Sequence, residues 1–488
     1  MKKPTIVIFN PDSYRGDVLR HLGNQGAVTP NLDAIANNDG VSFANAFSQN
    51  PVCTPSRCSF MTGWYTHTHG HRSMINMLKP HEPHLLKVLR NNGYHVWWGG
   101  KNDLVAVEKY EDYFDHCDEK ARPNTLQKGH RPPPPLAEDD YRHGAFYRGV
   151  LPQDPAGEYH CYDTGIIDAA VEKIASHDNS KPLCLYLPIG SPHPSYGIEE
   201  EFYNQIDPDS LPPRIPTPEA GSAQLPVLDS LRSEFGSDKI TDADWLEIKR
   251  IYYAMCRRVD HFFGRVVNAL KEAGLYDDAL VMFFSDHGDF TGDYGLPEKT
   301  HSTLQDALIH VPFLIKPPQA TTVKPGIRNS LTELVDMTAT VYDLLGIDPG
   351  YAIQGKSLCH VLAGDDTDQR EAVFAAVGAR ANESAFRNNE VKSLPPNSFY
   401  GRQSRAVRPH AASGTYCVSC RTHDLKYIRR GYNNHHELYD LRNDPGEQNN
   451  LYGDPAMATD QAKMEMLLLD FFMRTGDILP YKQDSRQI

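Results

Sequence analysis

Ala279-Leu280-Val281-Met282-Phe283-Phe284 gives way without a break to Ser285-Asp286-His287-Gly288-Asp289. An apolar run of this length with no polar alternation matches a strand buried on both faces, as in a parallel sheet covered by helices. Upstream, a helical pattern from about residue 244 to 273 stops at Gly274, a residue suited to a left-handed helix end. Helix, stop and buried strand together make one βα repeat, and the pattern recurs along the chain. Residues 5–9 open it. Residues 94–98 follow a helical stretch at 85–90 and the stop Asn91-Asn92-Gly93, and residues 183–187 follow Ile166, Ile167, Ala170, Val171 and Ile174 at helical spacing. A fifth run, 312–316, leads into a helix near 333–345 that stops at Gly346. The expected fold class is α/β, a large and mostly parallel sheet between layers of helices.

Beyond about residue 365 the pattern changes to short alternating segments, 416–419 and 425–428 among them, with a last helix near 460–474. The expected division is a catalytic α/β domain over 1–365 and a smaller C-terminal α+β subdomain over 366–488, with a small antiparallel sheet and the terminal helix. Segments 118–154 and 206–238, rich in Pro, Asp and Gly, are expected to be surface insertions rather than sheet elements, framing a cleft. Segment 382–414 has no informative pattern and is expected to be a mobile loop or an oligomer contact.

The 488 residues are 40% hydrophobic, 23% charged and 10% aromatic, which excludes a wholly disordered chain, a fibrous repeat and a small disulfide scaffold. Lys and Arg number 49 against 63 Asp and Glu, a net charge of −14 that argues against broad nucleic-acid binding. No apolar run approaches the roughly 18 residues of a membrane span, so no membrane partner is expected. Residues 6–9 are too short for a signal-peptide core, which predicts a cytoplasmic protein or one whose leader has been removed. Nine cysteines, an odd number thinly spread, fit reduced thiols, and Cys417-x-x-Cys420 lacks the second pair or His partner of a metal site.

In open α/β sheets ligands bind beyond the carboxyl ends of the strands. Here those ends carry Asn10 and Asp12, then Gly99-Gly100-Lys101-Asn102-Asp103, then Ser191-Pro192-His193, then Ser285-Asp286-His287. Any one of these could merely cap the next helix. Four in concert predict a site. Asp12, Asp286 and His287 are the expected ligands of a divalent cation: carboxylate oxygens suit Ca²⁺ or Mg²⁺, and the imidazole admits Mn²⁺ or Zn²⁺. On spacing alone the cluster equally fits a phosphotransferase.

The segment Pro51-Val52-Cys53-Thr54-Pro55-Ser56-Arg57-Cys58-Ser59-Phe60-Met61-Thr62-Gly63 adds a nucleophile. Pro55 suits a first helical turn, which places Cys53 at a helix N-terminus that favours an anion. Arg57, one turn on, is expected to grip a tetrahedral oxyanion in bidentate fashion.

Cys53-Thr54-Pro55-Ser56-Arg57, with Thr62-Gly63 and His69-Gly70, resembles the C-x-P-S-R maturation signature of the formylglycine-dependent sulfatases of the alkaline phosphatase superfamily. Gly100-Lys101, Pro192-His193 and Ser285-Asp286-His287-Gly288 resemble further motifs of that family, and Lys299 ahead of His310-Val311-Pro312 sits where it places another substrate-contacting Lys. The stretches Glu437-Leu438-Tyr439-Asp440-Leu441, Asp444-Pro445-Gly446-Glu447 and Asn450-Leu451 look like its terminal strand and turn, so the resemblance spans nearly the whole chain.

The resemblance implies an alkaline phosphatase-like sheet and a sulfuric ester hydrolase acting on a sugar or small organic alcohol sulfate. Cys53 is implied to become formylglycine through a maturation enzyme and to share with Asp12, Asp286 and His287 a divalent metal, Ca²⁺ ahead of Mn²⁺ or Zn²⁺. Arg57, Lys101 and Lys299 are implied to stabilise charge on the sulfate, and His193 is the candidate general acid. Two positions depart from the pattern. Ser13 follows Asp12 where relatives carry an acid or amide. Asn102 and Asp103 stand where relatives place a His, so Asp103 is expected either to serve as the base or to pair with Lys101. His69, His71 and His301 are unranked candidates, and Trp97, Trp98 and Tyr196 are candidates for stacking on a sugar. A phosphodiester or phosphonate monoester hydrolase, and a non-catalytic metal-stabilised binding protein in which Cys53 stays a thiol, are the competing functions; a homo-oligomer is compatible with either.

Overall fold

The computed structural model describes residues 3–106, 115–117, 140–151, 162–178, 180–218, 225–378, 398–410, 415–431 and 435–478. Its centre is an eight-stranded sheet. From one edge to the other the strands are Gly326–Arg328, Val41–Phe43, Phe313–Lys316, Leu280–Phe284, Ile6–Asp12, Leu183–Pro192, His95–Trp98 and His116–Cys117. Phe313–Lys316 alone runs against the rest, pairing antiparallel with both neighbours. The sheet is therefore mixed and mostly parallel, as the helix–strand repeat predicts.

Side-chain alternation sends successive residues to opposite faces. Val7, Phe9, Leu183, Leu185 and Leu187 pack beneath helices Tyr162–Ser176 and Asp242–Glu272. Ile6, Ile8, Val96, Trp98, Cys184, Tyr186 and Met282 pack on the other face, against helices Cys53–Thr62, Leu85–Asn91 and Val335–Leu345. Burial on both faces is why these strands read as unbroken apolar runs.

A second, antiparallel sheet joins Val373–Val377, Cys417–Arg421, Leu425–Arg430 and Glu437–Asp440. One of its faces holds helix Ala458–Thr475 through Met464, Leu468 and Phe471. The other packs Val373, Ala375, Ile428 and Tyr439 against Phe47, Val52, Leu304 and Leu308 of the larger body. Cys417 and Cys420 point into these two different clusters, which rules out a shared site.

The expected insertions contain more structure than their composition suggested. Within 140–151, strand Tyr147–Leu151 pairs in parallel with Tyr196–Glu199. Within 225–238, helix Pro226–Phe235 buries Val227, Leu228, Leu231 and Phe235. Within 398–410, helix Phe399–Val407 packs against that helix, where a mobile loop or oligomer contact was expected. These elements are short, and tertiary burial rather than intrinsic propensity sustains them. Residues 118–139 and 379–397 lie outside the described residues.

Candidate active site

Four adjacent parallel strands end on one edge, and the strand-end residues meet there. Asp12 closes its strand, while Lys101, His193 and Asp286-His287 follow the ends of His95–Trp98, Leu183–Pro192 and Leu280–Phe284. Helix Cys53–Thr62 is laid across this edge with all ten residues buried and Cys53 as its first residue. Two of its hydroxyls are paired: the Ser56 hydroxyl donates to the Asp286 carbonyl at 2.6 Å, and the Thr62 hydroxyl to the Cys58 carbonyl at 2.7 Å. Gly63 ends the helix at φ 72°, donating its N–H to the Ser59 carbonyl.

Asp12, Cys53, Asp286 and His287 present one ligand atom each, all within 4.8 Å of one another. Arg57 orders the carboxylates. Its Nε donates to Asp286 Oδ2 at 2.9 Å and its Nη2 to Asp12 Oδ2 at 2.8 Å, and Lys101 Nζ adds a bond to the same Asp12 oxygen at 2.6 Å. Taking up both Oδ2 atoms leaves the Oδ1 atoms turned to His287 Nε2, at 3.6 Å from Asp12 and 3.9 Å from Asp286. The expectation that Arg57 grips the oxyanion in bidentate fashion is corrected by this geometry. The guanidinium is fully buried and spends Nε and Nη2 on the two aspartates.

The donor set fits a divalent cation. Metal–oxygen bonds of about 2.3–2.6 Å put neighbouring ligands about 3.3–3.7 Å apart, close to the separations seen here. His287 Nδ1 donates to the Gly288 carbonyl at 2.8 Å, an assignment of the tautomer from its partner that leaves the Nε2 lone pair facing the aspartates. Burial lowers the His287 imidazole to about pKa 4, so it is neutral at neutral pH. Burial would raise the Asp12 carboxyl, but Lys101, His193 and Arg57 together hold it well below the usual range. Asp12 is thus an anion, as a ligand must be.

Ser13 donates its hydroxyl to Asp12 Oδ1 at 3.1 Å and its N–H to Asp286 Oδ1 at 3.3 Å, bracing both carboxylates. Its backbone is left-handed, φ 70°, held by Tyr252 Oη donating to the Ser13 carbonyl at 2.6 Å. Cys53 Sγ lies 3.2 Å from His287 Nε2 and 3.6 Å from Asp12 Oδ1. Burial, and next the Asp12 carboxylate, push its thiol well above the ordinary value. An unmodified Cys53 is therefore a neutral, weakly nucleophilic thiol.

Of the two roles open to Asp103, the geometry has the pairing: its Oδ2 is 2.9 Å from Lys101 Nζ. Lys101 Nζ also reaches to 3.7 Å from Cys53 Sγ. Lys299 Nζ is 2.9 Å from His193 Nε2 and 3.0 Å from Glu298 Oε1, and the Glu298 charge helps keep it protonated against burial. His193 Nδ1 donates to the Pro194 carbonyl at 2.7 Å, which turns Nε2 towards Lys299 and Glu298.

Glu298 and Tyr400 were missed in the sequence. Glu298 is buried, which by itself would raise its carboxyl, but Lys299 and His193 hold it down at about pKa 2, and it takes a hydrogen bond from Tyr400 Oη at 3.0 Å. An acid adjacent to Lys299 was the available signal for the first; nothing marked the second. His69 and His71 both face Glu82 instead of this cluster, whereas His301 is close enough to Lys299 and Glu298 for their charges to act on it. Trp97, Trp98 and Tyr196 are buried in the core and are not stacking platforms; Tyr196 Oη donates to Asp289 Oδ1 at 2.6 Å.

A family model described as sulfatase matches residues 4–347. Arylsulfatase K of Mus musculus is 26% identical over 477 residues, covering 92% of this chain and 76% of the relative. N-acetylglucosamine-6-O-sulfatase of Bacteroides thetaiotaomicron is 23% identical over 535 residues, covering 96% and 86%. Among solved structures, the phosphonate monoester hydrolase of Agrobacterium radiobacter superposes with a TM-score of 0.73 at 22% identity, over 97% of this chain and 96% of that one. The last is a likeness of fold. All three span most of both chains.

Proposed function

This chain belongs to the sulfatase family and is a sulfuric ester hydrolase, and from that premise we propose that it hydrolyses the sulfate ester of a sugar or small organic alcohol, using formylglycine at position 53 and a bound Ca²⁺. The observation that carries this reading is the convergence of Asp12, Cys53, Asp286 and His287 on one buried point.

Asp12, Asp286 and His287 would hold the cation, with position 53 beside it; when bound, the ion supplies charge neutralisation for an incoming sulfate. Converted and hydrated, position 53 supplies the attacking hydroxyl, and a second hydroxyl whose deprotonation expels the sulfate. The remaining work falls to side chains that are already in place. Arg57 keeps the aspartates oriented. Lys101 and Lys299, both close enough to Cys53 for their charges to act on it, bind the sulfate oxygens and stabilise the charge that grows on them. His193, once doubly protonated, keeps its Nδ1–H on Pro194 and delivers the proton of Nε2 to the departing alcohol oxygen, ending as the neutral ring. The N-acetylglucosamine-6-O-sulfatase among the relatives supports a sugar ester as substrate.

The test is co-expression with a formylglycine-generating enzyme, mass analysis of the Cys53 peptide, and paired assays of sulfate and phosphonate monoesters with and without chelator. The expected peptide has one oxygen in place of the thiol's sulfur and two hydrogens. Sulfate ester turnover is expected to vanish in Cys53→Ala and on chelation, and to return with Ca²⁺ better than with Zn²⁺. A preference for phosphonate monoesters, or full activity with Cys53 unconverted, would falsify the proposal.

A further inference from the structure

Helix Phe399–Val407 forms a wall of the site beyond Lys299. Ser398 caps it by accepting the Gly401 N–H at 3.1 Å, helix Pro226–Phe235 packs against it, and Gln403 Nε2 donates to the Lys299 carbonyl at 3.2 Å. Tyr400 stands on this wall. Its hydroxyl donates to Glu298 Oε1 at 3.0 Å, the same oxygen that lies 3.0 Å from Lys299 Nζ and 3.3 Å from His193 Nε2. Yet the residue is 42% exposed. One end of the side chain is thus fixed inside the catalytic cluster while ring surface stays open to solvent.

Glu298 is itself rigidly placed: its N–H donates to Tyr196 Oη at 2.9 Å and its backbone is left-handed at φ 55°. The aromatic surface is therefore ordered before any ligand arrives, which removes part of the entropic cost of packing on it. With the sulfate bound by Lys101 and Lys299, the departing oxygen belongs at His193, which lies 2.9 Å from Lys299, and Tyr400 is tied to the carboxylate that touches His193. We propose that Tyr400 is a specificity-determining residue whose ring packs against the leaving alcohol, so that esters of cyclic alcohols are favoured over acyclic ones. This rests on the sulfate-ester reading above.

The experiment measures kcat/KM of the matured, Ca²⁺-loaded protein for cyclohexylmethyl sulfate and ethyl sulfate. Both esters release a primary alcohol, so their intrinsic reactivity is alike and the ratio isolates the ring. Measuring both on one sample also cancels differences in folding or in Cys53 conversion. The wild-type ratio is expected to exceed one; Tyr400→Ala and Tyr400→Leu are expected to lower it about fivefold, and Tyr400→Phe and Tyr400→Trp to keep it within about twofold. An unchanged ratio in Tyr400→Ala, or an equal fall in Tyr400→Phe, overturns the proposal. Should the protein prefer phosphonates, the sulfate reading fails by itself, and the same ratio is taken with the cyclohexylmethyl and ethyl monoesters of phenylphosphonic acid.

Discussion

Glu82 accepts hydrogen bonds from His71 Nε2 at 3.1 Å, His69 Nδ1 at 3.2 Å and the Lys79 N–H at 2.7 Å. Burial alone would raise its carboxyl, but these donors hold it near pKa 2, against 4.5 for a free glutamate. A depressed acid stabilises the fold above its unfolded value and loses that contribution as pH falls towards the folded one. Glu82→Gln is therefore expected to cost about 1–2 kcal/mol at pH 6. In urea titrations the gap to wild type should narrow steadily between pH 4.5 and pH 3; a gap independent of pH would contradict the assignment. At this same scale the metal-facing residues were readable, because an Asp or His placed just after an apolar run must lie at the strand's carboxyl end. Glu298 was not, since its importance comes from what it touches.

The 31-residue helix Asp242–Glu272 begins with a capping box: Thr241 Oγ1 accepts the Asp244 N–H, and the Asp244 carboxylate accepts the Thr241 N–H at 2.9 Å. Further along, Tyr252 Oη donates to the Ser13 carbonyl and accepts the Arg15 N–H at 3.0 Å. One element thus ties a surface cap to the turn that carries Asp12. Thr241→Ala is expected to lose about 1 kcal/mol of stability. Sulfate ester kcat should stay at the wild-type value, because Tyr252 is held by the core; equilibrium unfolding and steady-state kinetics on the same preparation check both. The long helix was legible from its period and from Gly274. Helix Phe399–Val407 was not, since nine residues bounded by polar sequence carry too little periodic signal.

Across the whole molecule, the small sheet is locked to the larger body by buried charge. Lys426 Nζ lies 2.8 Å from Asp306 Oδ1 and 2.6 Å from Glu447 Oε1, and Arg421 Nε donates to Asp306 Oδ2 at 2.9 Å. Removing one member of such a group strands the others in a poorly solvated place. Lys426→Ala is expected to destabilise the protein by about 3–5 kcal/mol and to split one unfolding transition into two in calorimetry. Lys426→Met, which loses the charge and keeps much of the volume, should behave in the same way if charge rather than packing is the cause. A single transition at the wild-type temperature would show that the apolar contact suffices.

What the amino-acid order determined by itself was whatever is written locally: which runs become buried strands, where helices stop, and which residues stand at the strand ends and at the head of the Cys53 helix. Hydrophobic period and turn chemistry act over a few residues, so they survive in one dimension. Tertiary structure alone decided that Arg57 braces two aspartates, that Asp103 pairs with Lys101, and that Glu298 joins His193, Lys299 and Tyr400. Each of these depends on how segments far apart in the chain pack together, and a side chain's partner across such a distance leaves no periodic trace in the sequence.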